Sequence, residues 1–364
     1  MYYLRFMKRY FAILLCLLQL AAGAGAQNKG GLLSALVSVL SEGIVPEAGD
    51  AENKVGLPQQ SLDNWNIIPG NYSGITPLGD GRYAVVSDKG DADGFYIWKI
   101  IQDPESGQII SVESEGFFAN TVDTNANRDC EGIVYFPLSN CVFISGEGDG
   151  RIIEYDLNGQ RTGRELEVPE EFRNAVSNQG LEALGYGGRG RRCRFWSTTE
   201  TSLPSDGEAA GPKNPNGQNV LRLQSFRKDL TPSRQIIYTM DAGRSSNFGT
   251  TYVFGVPEIC VLPDGRLLVL ERESNIPELY AGAYVKCKLY SIRPRRKTPS
   301  TKKLVAEWAT SLSLSGLTWA NYEGMCLGEK LSDGRQTLIL ISDSQGGYSK
   351  GPFSLKDYIK VIVL

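Results

Sequence analysis

Short apolar runs separated by polar turns fill the chain from Leu62 onward. Tyr83 to Val86, Leu267 to Leu270 and Leu338 to Ile341 are apolar or alternating runs. Each follows an Asp-Gly turn: Gly79-Asp80-Gly81-Arg82, Pro263-Asp264-Gly265-Arg266 and Ser332-Asp333-Gly334-Arg335. Turns of this kind join antiparallel strands. Further runs follow at Phe95 to Ile101, Ile152 to Asp156, Val220 to Phe226 and Cys287 to Ile292, with turns at Ser106-Gly107 and Asn158-Gly159. Each unit therefore reads as a four-stranded antiparallel blade.

A short acidic phrase opens the units. It stands at Asp129-Cys130-Glu131-Gly132-Ile133, Gln179-Gly180-Leu181-Glu182-Ala183-Leu184, Val256-Pro257-Glu258-Ile259 and Asn321-Tyr322-Glu323-Gly324-Met325. Tyr72-Ser73-Gly74-Ile75 is a weaker version without the Glu. Each second strand ends on another carboxylate, in Ser87-Asp88-Lys89, Ser145-Gly146-Glu147, Thr198-Thr199-Glu200, Glu271-Arg272-Glu273 and Ser342-Asp343-Ser344. Internal repetition of this kind predicts an all-β fold, a β-propeller of five or six four-stranded blades. Tyr358 to Leu364 is a terminal strand, and Trp65 to Ile68 is its expected partner, closing the ring and removing exposed edges.

In an antiparallel hairpin the start of one strand lies beside the end of the next. The repeated carboxylates therefore gather at one mouth of the central channel. Asp88, Glu131, Glu147, Glu182, Glu200, Glu258, Glu271, Glu323 and Asp343 form the expected metal-ligand ring. So many like charges require cations or arginines among them. A second role competes for each Glu: accepting backbone N–H groups from an adjacent blade, with the following Gly serving close backbone approach. Repetition favours that architectural role for most of the ring and leaves chemistry to two to four members.

The chain contains no histidine, which excludes Ser-His-Asp and Cys-His catalysis and His-ligated zinc. No G-x-S-x-G elbow and no C-x-x-C pair occurs. Carboxylate and other oxygen donors suit a hard ion, above all calcium. The formal net charge of −3 argues against nucleic acid as a partner.

The first residues read as a targeting segment. Arg5, Lys8 and Arg9 precede an apolar core from Phe11 to Ala22, and Ala24-Gly25-Ala26 offers a cleavage site. Residues 1–26 are thus expected to be a signal peptide, 27–60 a leader and linker, and 61–364 the propeller. The expected location is periplasmic or secreted, with no membrane span once the signal is removed. Six cysteines follow the signal, and their pairing is open. Nothing marks a dimer interface, so a monomer is expected. Four arginines between Arg189 and Arg194 are expected at the blade end away from the acidic mouth.

The N-x-E-G phrase, the segment Leu262 to Arg272 and the segment Asp333 to Asp343 resemble the esterase-like or phytase-like family of exported bacterial proteins. The likeness spans most of Ile75 to Leu364. It implies phosphomonoester hydrolysis on a calcium-loaded propeller and a small phosphoester or ester substrate. Glu131, Glu258 or Glu323 would then act as base, and Lys89, Arg128 and Arg272 would hold phosphate, with Tyr280 and Tyr348 near the mouth. Two other readings stand beside it: a calcium-dependent binding propeller without catalysis, and a sugar-lactone hydrolase acting on a neutral ring.

Overall fold

The computed structural model describes residues 56–90, 92–121, 127–190, 193–211, 213–214, 216–243, 251–277, 283–294, 301–313, 316–344 and 355–364. The expected signal peptide, most of the expected leader, Tyr280, Tyr348 and two of the clustered arginines, Arg191 and Arg192, lie outside them. Among the described residues no helix is long and apolar enough to cross a membrane.

The strands are β1 (Gln60–Ser61), β2 (Tyr72–Gly79), β3 (Arg82–Ser87), β4 (Gly94–Gln102), β5 (Ile109–Ala119), β6 (Cys130–Phe136) and β7 (Cys141–Gly146). Then come β8 (Arg151–Asp156), β9 (Arg161–Leu166), β10 (Leu181–Gly187), β11 (Arg194–Thr199), β12 (Val220–Phe226), β13 (Pro232–Thr239) and β14 (Thr251–Val261). The chain ends with β15 (Leu267–Ile276), β16 (Tyr284–Ile292), β17 (Lys303–Ser313), β18 (Gly316–Leu317), β19 (Asn321–Lys330), β20 (Gln336–Asp343) and β21 (Tyr358–Val363).

They form five antiparallel sheets, which resolves the expectation of five or six blades at five. Blade 1 is β2 to β5, blade 2 β6 to β9 and blade 3 β10 to β13. Blade 4 is β14 to β17 with the short β18 added, and blade 5 is β19, β20, β21 and β1. The innermost strands β2, β6, β10, β14 and β19 pack against one another in ring order.

Closure joins the two ends of the propeller. Gln60 pairs with Ile359 and Ser61 with Tyr358, and Leu57 N–H donates to Val361 O at 2.8 Å. The expected partner Trp65 to Ile68 is not a strand. Ser61 Oγ instead caps a 3-10 turn at Leu62–Trp65, accepting from Asp63 N–H, and that turn carries the chain away from the edge.

Each blade is apolar on both faces, so each interface holds one core. Trp98, Tyr72 and Val85 pack with Ile339 and Ile359 between blades 1 and 5, and Phe136 and Phe143 with Phe195 between blades 2 and 3. The other three interfaces are built alike. Burying a side chain of this size contributes about 1.5–3 kcal/mol, so these five cores set the blade order. The six cysteines among the described residues are free thiols, five of them buried small hydrophobes.

Candidate functional site

The acidic mouth is made by a repeated irregularity. On all five inner strands the pairing slips near the mouth: between Tyr72 and Gly74, Cys130 and Ile133, Leu181 and Leu184, Gly255 and Glu258, and Tyr322 and Met325. A bulge of this type re-aims a side chain. In blades 2, 3 and 5 the re-aimed residues are Glu131, Glu182 and Glu323. Gly132 lets the neighbouring strand come close, because a Cβ there would lie 2.6 Å from Glu182 O. Ser145 Oγ, also at that spot, accepts from Gly132 N–H at 2.8 Å and lies 3.0 Å from Glu182 O.

Blade 4 departs from this pattern in two ways. The residue that corresponds to Glu131 is Val256, because Gly255 pairs with Arg272 as Cys130 pairs with Gly146. Glu258 therefore lies deeper, opposite Leu270. It is 1% exposed and accepts N–H from Leu184 of blade 3 at 3.0 Å and from Ile259 at 2.8 Å. Burial lifts its carboxyl well above the usual range, against those two N–H donors and that of Met325 in blade 5. The second departure is that blade 4 sends a cation into the mouth. Glu271 turns away and binds Lys302 and the Tyr238 hydroxyl, each at 2.7 Å, while the next residue, Arg272, points inward.

The mouth encloses about 250 Å³, lined by Asp88, Lys89, Asp129, Glu131, Glu147, Glu182, Glu200, Arg272, Asn321 and Glu323 among others. Of the expected residues, Glu258, Glu271 and Asp343 are not in this lining. Asp129 is, although the sequence pattern did not single it out. Its signal is conformational: Asp129 (φ 58°) and Asn71 (φ 49°) hold the left-handed backbone just before their inner strands, a conformation Asp and Asn tolerate best among side-chain-bearing residues.

The mouth has two unlike halves. On the side of blades 3 to 5, Arg272 donates to Glu200 at 2.5 Å and also to Glu323. Asn321 Nδ2 adds a bond to Glu323 at 2.8 Å. On the side of blades 1 and 2, ligand oxygens of Asp88, Asp129 and Glu131 all lie within 4.8 Å of one another. Lys89 Nζ sits 2.7 Å from Asp88 Oδ2 and is 54% exposed. Asp88 Oδ1 is buried with no hydrogen-bond partner.

Arg128 takes no part in the mouth as a free cation. Its Nε and Nη2 bind Asp149 at 2.7 and 2.8 Å, Nη2 also reaches Arg151 O at 2.8 Å, and Nη1 meets Tyr155 Oη at 3.2 Å.

Burial and mutual repulsion hold the acids back from ionising. Asp88 is pushed up to about 6 by burial and by Glu323, against the pull of Lys89. Glu147 is pushed up to about 7 by burial, opposed by the Gly180 N–H that it accepts. Glu131 and Glu182 are also held well above the usual carboxylate range, by burial first and then by neighbouring carboxylates. Burial opposes the charge of Lys89, but the bond and charge of Asp88 prevail and raise its pKa.

The fold and site define a five-bladed propeller with a carboxylate-rich mouth. The chain belongs to the phytase-like family, described as "Esterase-like activity of phytase", which matches residues 68–345, well over half of its length. Among solved structures the chain is similar to the endo-arabinase from Bacteroides thetaiotaomicron VPI-5482, at 13% identity, covering 82% of this chain and 95% of that one with a TM-score of 0.44. It is also similar to an exo-1,5-alpha-L-arabinanase from a bovine ruminal metagenomic library, at 10% identity, covering 81% and 94% with a TM-score of 0.42. A third likeness is to a chain of a nidogen/laminin complex, at 11% identity, covering 79% of each with a TM-score of 0.36. Likenesses this distant say nothing about the site. Comparison with curated proteins gave no match.

Proposed function

We propose that this protein is an exported, monomeric, metal-dependent hydrolase of phosphoesters or esters, with calcium held at the blade 1 and 2 side of the mouth. The observation that carries this reading is the convergence of Asp88, Asp129 and Glu131 within 4.8 Å. The donor set fits the ion. It is all carboxylate oxygen, as calcium prefers, and Asp88 Oδ1 is buried and unpartnered, an arrangement that costs free energy unless something meets it. Family membership over residues 68–345 supports hydrolysis. The basic, apolar and small-residue order of residues 1–26 supports export.

A calcium ion bound there supplies positive charge to a substrate oxygen and lowers the pKa of a bound water. The chain's own residues do the rest. Lys89, more than half exposed beside Asp88, donates to a second oxygen of the ester. Glu147, with its carboxyl near 7, is matched to neutral pH as a general base. It takes a proton from the attacking water as the water oxygen bonds to phosphorus or acyl carbon. The bond to the leaving alcohol breaks, and that alcohol takes its proton from solvent. Glu200 and Glu323 are occupied by Arg272, Glu258 lies outside the mouth lining and Glu131 belongs to the ion site, which leaves Glu147 and Glu182 as the carboxylates able to serve.

The second reading, hydrolysis of a neutral ester such as a sugar lactone, is favoured by one observation. Arg128 and Arg272 are both committed to carboxylates, so the mouth presents little basic counter-surface to a phosphate. Phosphate release from a phosphomonoester and ring opening of a lactone, each measured on residues 27–364 with calcium and with a chelator, test the two readings. Calcium-dependent turnover of either supports a hydrolase. Calcium binding without turnover of any ester refutes it.

A further inference from the structure

The mouth has a raised rim on one side. In blades 1, 2, 3 and 5 the two innermost strands stop pairing at the level of the mouth: Tyr72 with Ser87, Cys130 with Gly146, Leu181 with Thr199 and Asn321 with Asp343. In blade 4 the matching pair is Gly255 with Arg272, and four more pairs follow, out to Thr251 with Ile276. At roughly 3.3 Å per residue, the ends of β14 and β15 stand about 13 Å past that level.

Strand alternation sets Ser274 and Ile276 on the face that carries Arg272 into the mouth. Thr251 and Val253 pair with them, and Val285 of β16 pairs with Ser274. All five line the mouth, as do Trp319 and Leu355 just before strands of blade 5. The other face of the same hairpin is packed away, with Tyr252 and Phe254 in the core between blades 3 and 4. We infer that this rim is a specificity wall, and that the ester bound here carries an apolar group about one aromatic ring in size, with a hydrogen-bond donor on it. The inference rests on the hydrolase reading of the mouth and names its substrate class.

The wall is mainly apolar: Val253, Ile276, Val285, Trp319 and Leu355 outnumber the hydroxyls of Thr251 and Ser274. An apolar group gains by leaving water for such a surface, whereas a hydroxyl-rich or multiply charged one would lose hydration there without matching bonds. The cavity is also small. Its volume of about 250 Å³ falls short of the ~300–1,000 Å³ of common ligand sites, so a molecule that reaches the carboxylates of blades 1 and 2 meets the wall as well. Asn321, in the same lining and 7% exposed, supplies the donor's partner. Its Nδ2 donates to Glu323 at 2.8 Å, while its Oδ1 is buried with no hydrogen-bond partner. An orphaned acceptor costs free energy until a donor meets it. None of these groups belongs to the ion site, so they stay available when the ion is bound.

Titration calorimetry of residues 27–364 with calcium tests this with methylphosphonate, phenylphosphonate and the three hydroxyphenylphosphonates, at a mildly alkaline pH where the phosphonates are dianions. Their carbon–phosphorus bond is not an ester, so the heat reports binding alone. Phenylphosphonate is expected to bind about tenfold more tightly than methylphosphonate, and one hydroxyphenyl isomer more tightly still. Methylphosphonate binding equally or better, or no binding of phenylphosphonate, overturns the inference. Three hydroxyphenyl isomers all weaker than phenylphosphonate overturn the donor. The double variant Val253→Thr, Ile276→Thr keeps β-branched residues at two partly exposed strand positions. It is expected to retain calcium-induced stabilisation, the sign of a folded mouth, and to lose the preference for phenyl over methyl. A folded variant with the preference unchanged overturns the wall, and the comparison on the wild type decides the inference without it. A phenyl preference with no turnover of phenyl phosphate or phenyl acetate sinks the hydrolase reading alone. Turnover of either ester that methyl- and phenylphosphonate inhibit equally sinks the substrate class alone.

Discussion

Arg272 of blade 4 reaches across a blade boundary to Glu200 of blade 3, donating from Nη2 at 2.5 Å. Its other terminal nitrogen holds Glu323 of blade 5, so one guanidinium ties three blades at the mouth. All three residues are nearly buried. Removing one partner from a buried charge group leaves the others uncompensated. Arg272→Met is therefore expected to cost about 3–5 kcal/mol, read as a lowered melting temperature at neutral pH. The loss should shrink in acid, where Glu323, whose carboxyl is raised by burial, takes up a proton. A variant as stable as the wild type would refute the clamp.

Glu131 and Glu258 look alike in sequence and should behave oppositely. Glu131→Gln is expected to abolish calcium-induced stabilisation, because it removes one of three converging carboxylates. Glu258→Gln keeps an acceptor for Leu184 and Ile259 and should leave calcium binding intact. Glu258→Leu orphans those buried N–H groups, at about 1–3 kcal/mol each. Calorimetry with and without calcium on the three variants separates the roles.

The contrast between these two residues shows how far the sequence carried. Blades, turns and the acidic mouth were legible because Asp-Gly turns and apolar runs recur in one order. The site was legible only in part. Val256-Pro257-Glu258-Ile259 matches the opening phrase in text, but the bulge sets Glu258 level with Ile133, Leu184 and Met325, not with Glu131. No composition rule reveals that this Glu sits two residues deeper along its strand than the others. Glu271 and Arg272 stand side by side in β15, where strand alternation decides that Arg272 enters the mouth. Asp129 escaped notice because its role depends on a left-handed backbone, which residue type alone does not announce.

The acids of the mouth predict an unusual pH dependence. Asp88 at about 6 and Glu147 at about 7 are raised above their unfolded values. A group raised in this direction contributes stability fully below the unfolded pKa and loses it as pH rises through the folded one. Without metal, the melting temperature is expected to fall between about pH 4 and about pH 7. Calcium should offset the fall, by about 2.7 kcal/mol at a hundredfold excess over Kd. Melting curves across that range, with calcium and with a chelator, check both parts. A profile indifferent to calcium would refute the ion site.

Truncation tests the closure. A chain beginning at Leu62 loses β1 and the bonds from Leu57 N–H to Val361 and from Tyr322 Oη to Gln59. The last blade is then left with a bare edge in β21. Compared with a chain beginning at Gly56, it is expected to melt earlier and to aggregate through that edge. Light scattering during a thermal ramp distinguishes the two.

The same closure governs the order in which the molecule can be made. Gln60 leaves the ribosome among the first residues of the propeller, and Ile359 among the last. Contacts between such distant positions form slowly, since the chain entropy between them must be overcome first. The first strand of the propeller to be made is therefore the last to find its place, and the ring stays unlatched until β21 is made. A chain that completes itself only with its final strand remains threadable until then, which is the condition that translocation in an extended form requires.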